Sequence, residues 1–262
     1  MILKLIPLLT SLIFAAVYPL CFWIHCDDPL KNNFHRFHIG LPTVVGGISV
    51  MALYSLKASS EILLFGTVWM VSLLAVTFFS WKKETVNPFF ATVSSVLGLV
   101  TFAAVQHAFF YGTMSDFLIS MWSGFILCLS LYAMNLGHWY LNVYGLPVKH
   151  LLRTVNVFWS FLTVRALWDI YQLFAGYSEL RGNFDVALIP LKEFVLRMDG
   201  IFVWVGILFG IVLPITALYC VRETLKVKST QAATGILYVI LISVLIGDMT
   251  FKYYLLKFGV PL

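Results

Sequence analysis

Charged side chains are scarce in this chain. They make up 11% of its 262 residues, whereas a soluble domain carries about 25%. Apolar residues make up 61%, compared with the usual value of about 45–50%. A chain with so little polar surface does not stay dissolved in water. This composition excludes a soluble enzyme, a disordered regulator and a nucleic-acid-binding domain.

Cysteine is also rare, and the chain lacks the common motifs of metal and nucleotide sites. Its four cysteines, Cys21, Cys26, Cys128 and Cys220, include no CxxC pair. Three of them lie in or at the edge of apolar runs, so we expect small buried residues and no disulfide framework. GxGxxG, Walker, GxSxG and HExxH patterns are missing from the sequence, which leaves no signal for a nucleotide pocket or a nucleophilic triad. The loop histidines His25, His35 and His38 do not reproduce a closed zinc spacing, so we expect solvated side chains and no metal site.

Long apolar runs dominate what is present. A membrane-spanning helix needs about 20 mostly apolar residues, and the sequence predicts an all-α bundle of about eight such helices in a single domain, residues 1–262. The predicted spans are 2–24, 39–56, 62–81, 88–110, 117–141, 155–176, 200–221 and 233–256.

Three local features add predictions about individual helices and one loop. Pro7, Pro19 and Pro214 are expected to kink or break their helices. Gly206 and Gly210 form a GxxxG step, which predicts close helix packing inside the bundle. Residues 184–198 mix apolar and charged side chains, which predicts an amphipathic segment lying at the membrane interface as a lid over the bundle.

The distribution of basic residues predicts the orientation. Loops following the odd-numbered spans hold nine Lys and Arg residues, and the opposite side holds seven. The side richer in Lys and Arg is usually cytoplasmic. Both termini are therefore predicted to lie outside the cytoplasm.

Charged residues inside two spans are the main functional signal. Arg165, Asp169 and Gln172 are spaced by four and three residues, which places them on one helical face. Asp248 and Lys252 are four apart on the last span. Buried charges are costly in a membrane and persist when paired, hydrated or useful. Two interpretations stay open: internal ion pairs that make insertion tolerable, or a polar pocket that exchanges protons.

Helix geometry predicts that these charges meet. At about 1.5 Å per residue, Asp169 and Asp248 both lie about 20 Å from the cytoplasmic ends of their helices. Gln106 and His107 lie near the outer end of the fourth span. If the helices touch, carboxylate, imidazole and guanidinium groups would share one pocket near the outer surface, suited to proton exchange.

Histidines in the spans make a poor haem site. A haem in a helical bundle needs two axial histidines at equal depth. His107 lies near the outer end of its span and His138 near the inner end of the next one. We therefore expect no haem. His138, next to Trp139 and Tyr140 at the predicted lipid–water boundary, is either a hydrogen-bonded interfacial residue or a quinone contact.

The final third resembles a known membrane family. Residues 204–215 form a Gly-rich helix that runs into a proline, and a basic loop precedes Gly247, Asp248, Lys252 and Tyr253 on the last helix. This order resembles the last two helices of the polysulfide-reductase and DMSO-reductase membrane anchors. The resemblance implies an anchor, usually without metal, that exchanges electrons between quinol and a peripheral iron–sulfur or haem subunit.

Three functional hypotheses follow. The first is a quinone-binding subunit of a respiratory oxidoreductase in a bacterial inner membrane, in which proton transfer accompanies electron transfer. The second is a proton-coupled transporter of small solutes, and the third is a structural anchor or assembly factor. The candidate proton-handling residues are Arg165, Asp169, Asp248, Lys252 and His107, and the candidate quinone contacts are His107, Tyr111, Trp168 and His138.

Overall fold

Each apolar run forms a helix in the computed structural model, which describes residues 2–30, 33–110, 113–143, 145–181 and 186–262. A helix satisfies every backbone hydrogen bond within its own segment, as lipid requires. The helices in chain order are α1 (Ile2–Val17), α2 (Phe34–Ser55), α3 (Ser60–Ser80), α4 (Pro88–Phe110), α5 (Met114–Asn142), α6 (Lys149–Ala175), α7 (Leu191–Phe194), α8 (Val203–Ile207), α9 (Leu213–Lys226) and α10 (Thr230–Phe258).

The predicted all-α membrane bundle is confirmed. Within the described ranges, seven helical segments are long and apolar enough to cross a membrane. Predicted span 155–176 corresponds to α6, which has 27 residues but is not among the seven, because its charged and amide side chains lower its hydropathy. Exposed apolar side chains such as Leu64, Phe78 and Phe79 on α3 fit contact with lipid. The chain is an integral membrane protein.

Two of the three prolines interrupt their helices as predicted. The α1 helix ends at Val17, and a 3-10 segment, Tyr18–His25, begins with Pro19 in its first turn. Pro214 lies in the first turn of α9, directly after a π-helical segment, Leu208–Val212. Proline lacks the N–H that would continue an α-helical ladder. Pro7, in contrast, lies inside an unbroken α1.

A hairpin covers part of the predicted amphipathic segment. Strand β1 (Tyr177–Arg181) pairs antiparallel with β2 (Val186–Pro190), and positions 184 and 185 lie outside the described residues. The one-turn helix α7 follows, with Lys192 and Glu193 exposed and Phe194 fully buried. The segment is amphipathic, but it combines a strand with a single helical turn.

The cysteines follow the predicted burial only in part. Cys21 and Cys128 are buried, whereas Cys26 and Cys220 are exposed. Cys26 follows the 3-10 segment and Cys220 lies on an outer face of α9. Position in or beside an apolar run does not determine burial, because one face of a membrane helix contacts lipid.

The chain divides into two compact units. The N-terminal unit comprises residues 7–113, and the C-terminal unit comprises residues 114–262 with residues 1–6. The N-terminal unit contains α2, α3, α4 and most of α1. The C-terminal unit contains every element from α5 onwards. The interpretation of residues 1–262 as a single domain stays a prediction.

Four long helices form a closed ring of contacts in the C-terminal unit. Helix α10 packs against α5 and α9, and α6 also packs against α5 and α9. Helices α6 and α10 therefore lie across the ring from each other. Side chains that point inward from these two helices can meet at its centre, and the predicted charged residues lie on these two helices.

Candidate functional site

All four charged residues predicted on α6 and α10 are buried in the C-terminal unit. Arg165 is 2% exposed and Asp169 is 6% exposed, and Asp248 and Lys252 are each 3% exposed. Gln172, predicted on the same face as Arg165, is buried as well. The spacing argument therefore identified the inward face of each helix correctly. We call Arg165, Asp169, Asp248 and Lys252 the charge centre.

The first ion pair forms within α6. The Arg165 Nε–H donates to Asp169 Oδ1 at 3.0 Å, one helical turn away. The Arg165 guanidinium carbon also lies 4.6 Å from the ring centroid of Phe251 on α10. A cation over an aromatic ring is attracted by the negative face of the ring. Arg165 thus contacts α10, the helix that lies opposite α6 in the ring of four helices.

The second ion pair forms within α10 and includes a third helix. Lys252 Nζ donates to Asp248 Oδ1. The Ser123 hydroxyl of α5 donates to the same oxygen at 2.5 Å. Hydrogen bonds to a carboxylate are stronger than those between neutral groups. Asp248 therefore accepts hydrogen bonds from two side chains, one on its own helix and one on α5.

A small cavity joins the two ion pairs. Its volume is about 10 Å³, and its lining residues are Ser123, Ile126, Arg165, Gly210, Val244, Asp248 and Phe251. Because Arg165 belongs to the first pair and Asp248 to the second, the two faces predicted to meet inside the bundle do so here. Such a cavity has room for about one water molecule.

The hydrogen bonding of the first ion pair is incomplete. Arg165 Nη2 and Asp169 Oδ2 are buried and have no hydrogen-bond partner among the described residues. Nearly all buried polar atoms in proteins are hydrogen-bonded, and each exception calls for an explanation such as function, strain or a bound water. The first pair is therefore less completely satisfied than the second.

Close glycine packing brings α10 into this position. A Cβ on Gly247 would overlap the Cα of Gly210, and one on Gly210 would lie 2.8 Å from the Phe251 ring. The predicted packing role of Gly206 and Gly210 is confirmed, because both glycines face α10. Gly210 lies in the π-helical segment, where the Phe209 carbonyl accepts a hydrogen bond from Ser243 of α10. Such π-helical turns are common at functional sites.

The other candidate residues are not among those that line the cavity of the charge centre. His107 is exposed on α4, in the N-terminal unit. His138 is exposed on α5, with its Nδ1 3.4 Å from the Tyr238 hydroxyl. Trp168 donates its indole N–H to the Pro261 carbonyl at 2.8 Å. Tyr111 lies outside the described residues.

Sequence reasoning missed the neutral partners of the charge centre. Ser123 and Phe251 contact Asp248 and Arg165. The only sequence signal for Ser123 is a hydroxyl in an apolar run, and such hydroxyls usually bond to their own helix backbone. The ring of Phe251 gives no signal at all among the 23 phenylalanines of the chain.

The expectation of solvated histidines near the first loop is wrong. His25, His35 and His38 are all buried, and His38 Nδ1 lies 2.7 Å from the Tyr18 hydroxyl. Helix α2 begins at Phe34, five residues before the predicted span, and this extension takes two of the histidines out of the loop. In the ranges that the structure describes, no three His, Cys, Asp or Glu side chains could together hold a metal ion.

Comparison with protein-family models, curated proteins and solved structures finds no match for this chain.

Proposed function

We propose that the chain is a membrane subunit of a quinone-linked respiratory oxidoreductase, in which the charge centre exchanges protons during electron transfer. The observation that supports this most strongly is a small cavity inside an apolar bundle that is lined by one member of each of two buried ion pairs. Placing ionisable side chains inside a membrane costs free energy, and such residues commonly mark proton paths. Asp248 is the natural proton carrier, because it lines the cavity.

The size of the cavity limits the role of the charge centre. At about 10 Å³ it is far smaller than the roughly 300–1,000 Å³ of typical ligand pockets. A quinone ring would therefore bind elsewhere in the protein. In this proposal the four charged residues move protons, and they do not hold the headgroup.

The remaining parts of the proposal come from the resemblance of residues 204–215 and of the last helix to respiratory membrane anchors. A peripheral iron–sulfur or haem subunit would be the electron partner, and the membrane would be a bacterial inner membrane. In this proposal the chain binds no haem of its own and supplies only the quinone and proton steps.

The test is quinol-dependent electron transfer in the assembled complex with Asp248→Asn. The amide keeps the shape of the side chain but does not gain or release a proton near neutral pH. We expect turnover to fall by about 100-fold or more, the usual range for loss of a general acid or base. The matched control is Glu223→Gln, which neutralises a carboxylate of an exposed ion pair on α9 and should leave turnover unchanged.

A second comparison separates proton exchange from charge neutralisation. The double change Asp248→Leu with Lys252→Leu removes the whole second pair, so no unpaired charge remains. Loss of turnover with normal assembly supports the proposal. Full turnover in both Asp248→Asn and the double variant would contradict it and would assign the pair to membrane insertion alone, as in a structural anchor.

One observation favours proton-coupled transport as a second candidate. The span 203–226 is interrupted by the π-helical segment and Pro214, and Gly210 of that interruption lines the cavity. Transporters often place coupling sites at broken helices. Reconstitution of the purified chain into vesicles distinguishes the two: solute-driven proton flux without any redox subunit supports transport.

The proposed orientation places both termini outside the cytoplasm. Reporter fusions at Lys83 and Arg222 should then read as cytoplasmic, because both residues lie on the side richer in Lys and Arg. A fusion at Lys57 is the matched control and should read as external. A cytoplasmic signal from the C-terminus would contradict this orientation.

A further inference from the structure

The cavity of the charge centre has polar groups on three of the four helices that surround it. Ser123 belongs to α5, Arg165 to α6 and Asp248 to α10, and Ile126, Val244 and Phe251 supply apolar walls. A buried water typically makes about three hydrogen bonds, and it needs a polar site of this minimum size. The cavity meets both conditions for one water molecule.

The charge around the cavity favours a neutral occupant. Two cations and two carboxylates form the centre, and each cation is paired with a carboxylate four residues away. Their formal charges cancel. An added ion would therefore have to lose its hydration without gaining a compensating charge, which is costly in an apolar interior.

The hydrogen-bonding capacity of the lining matches water. Arg165 keeps a buried N–H group, at Nη2, without a partner among the described residues, so it can donate to a water oxygen. The Asp248 carboxylate can accept a hydrogen bond in return. The Ser123 hydroxyl already donates its proton to Asp248, and its oxygen keeps lone pairs that can accept a hydrogen bond from the water.

We propose that one water molecule binds in this cavity, accepts a hydrogen bond from Arg165 and donates to Asp248 and Ser123. The water joins the two ion pairs into one hydrogen-bonded network across the ring of helices. Arg165 is then tied to α10 by this water as well as by the Phe251 ring. The consequence for turnover rests on the proposed function, because the water would be the group through which Asp248 exchanges its proton.

The test fills the cavity without changing any charged residue. Val244→Ile adds one methylene to the cavity wall and should displace the water. Val239→Ile makes the same change on the exposed face of α10 and serves as the matched control. Infrared spectra of the purified protein, with surface water removed, report a buried water as an O–H stretch that shifts in oxygen-18 water.

We expect the oxygen-18-sensitive band in the unaltered protein and in Val239→Ile, and its loss in Val244→Ile. A missing band in the unaltered protein would overturn the proposal, as would a band that persists in a folded Val244→Ile variant. If the band is present but Asp248→Asn retains full turnover, the proposed function is contradicted and the bound water is not. If the band is absent and Asp248→Asn is inactive, the function stands and the water does not.

Discussion

Replacing Arg165 alone with leucine is expected to destabilise the C-terminal unit by about 3–5 kcal/mol. The change removes the only cation that bonds to Asp169 in the described part of the chain, and it leaves a buried carboxylate uncompensated. Removal of one partner from a buried ion pair is far costlier than removal of both. Reversible unfolding of the purified protein in bicelles measures this change in the free energy of unfolding.

The double change Arg165→Leu with Asp169→Leu is the informative comparison. We expect its stability to lie near that of the unaltered chain or above it, because desolvation of both charges is no longer required. The matched control is Lys226→Leu, which breaks the exposed pair with Glu223 and should change stability by less than about 1 kcal/mol. An equal decrease in the free energy of unfolding for the single and the double variant would show that the two residues do not act as a pair.

The contact of α10 with the π-helical segment is expected to tolerate no side chain at Gly247. A Cβ there would overlap the Cα of Gly210, so the two helices would have to move apart. We expect Gly247→Ala to lower the free energy of unfolding by about 1–3 kcal/mol. Asp248 is the next residue, so the shift should also disturb its bonds to Ser123 and Lys252, and turnover should fall with it.

A second glycine on the same helix provides the control. A Cβ on Gly235 would meet nothing within 4 Å, and Gly235→Ala should stabilise α10 by about 0.5–1 kcal/mol through lower backbone entropy in the unfolded state. Changes of opposite sign in the free energy of unfolding, a decrease for Gly247→Ala and an increase for Gly235→Ala, would identify close packing at Gly247 as the cause. A neutral Gly247→Ala variant would contradict the helix crossing described above.

The helices and both ion pairs could be predicted because their causes are local. A run of about 20 apolar residues becomes a helix in lipid wherever it packs, since its backbone has no other way to satisfy its hydrogen bonds. Arg165 with Asp169 and Asp248 with Lys252 are each one turn apart, so each pair forms within its own helix. Proline similarly breaks its own helix at Pro19 and Pro214.

The burial of the first histidines could not be predicted in the same way. His35 and His38 belong to α2 because that helix extends to Phe34, and the Tyr18 hydroxyl that reaches His38 lies 20 residues away in the chain. The hairpin of β1 and β2 has a related cause. Its strands are short and become stable through pairing with each other. The residue pattern of either strand alone therefore does not predict the hairpin.

The sequence by itself determined a membrane bundle with two self-neutralising ion pairs on inward faces, because hydrophobicity and helical period act over one or two turns. Only the tertiary structure decided that the pairs share a cavity. That cavity exists because α5, α6, α9 and α10 close a ring and because Gly210 and Gly247 let two backbones touch. Ser123 and Phe251 gained their roles through the same packing. Contacts between distant segments depend on the geometry of the whole ring, and no local pattern in the chain encodes them.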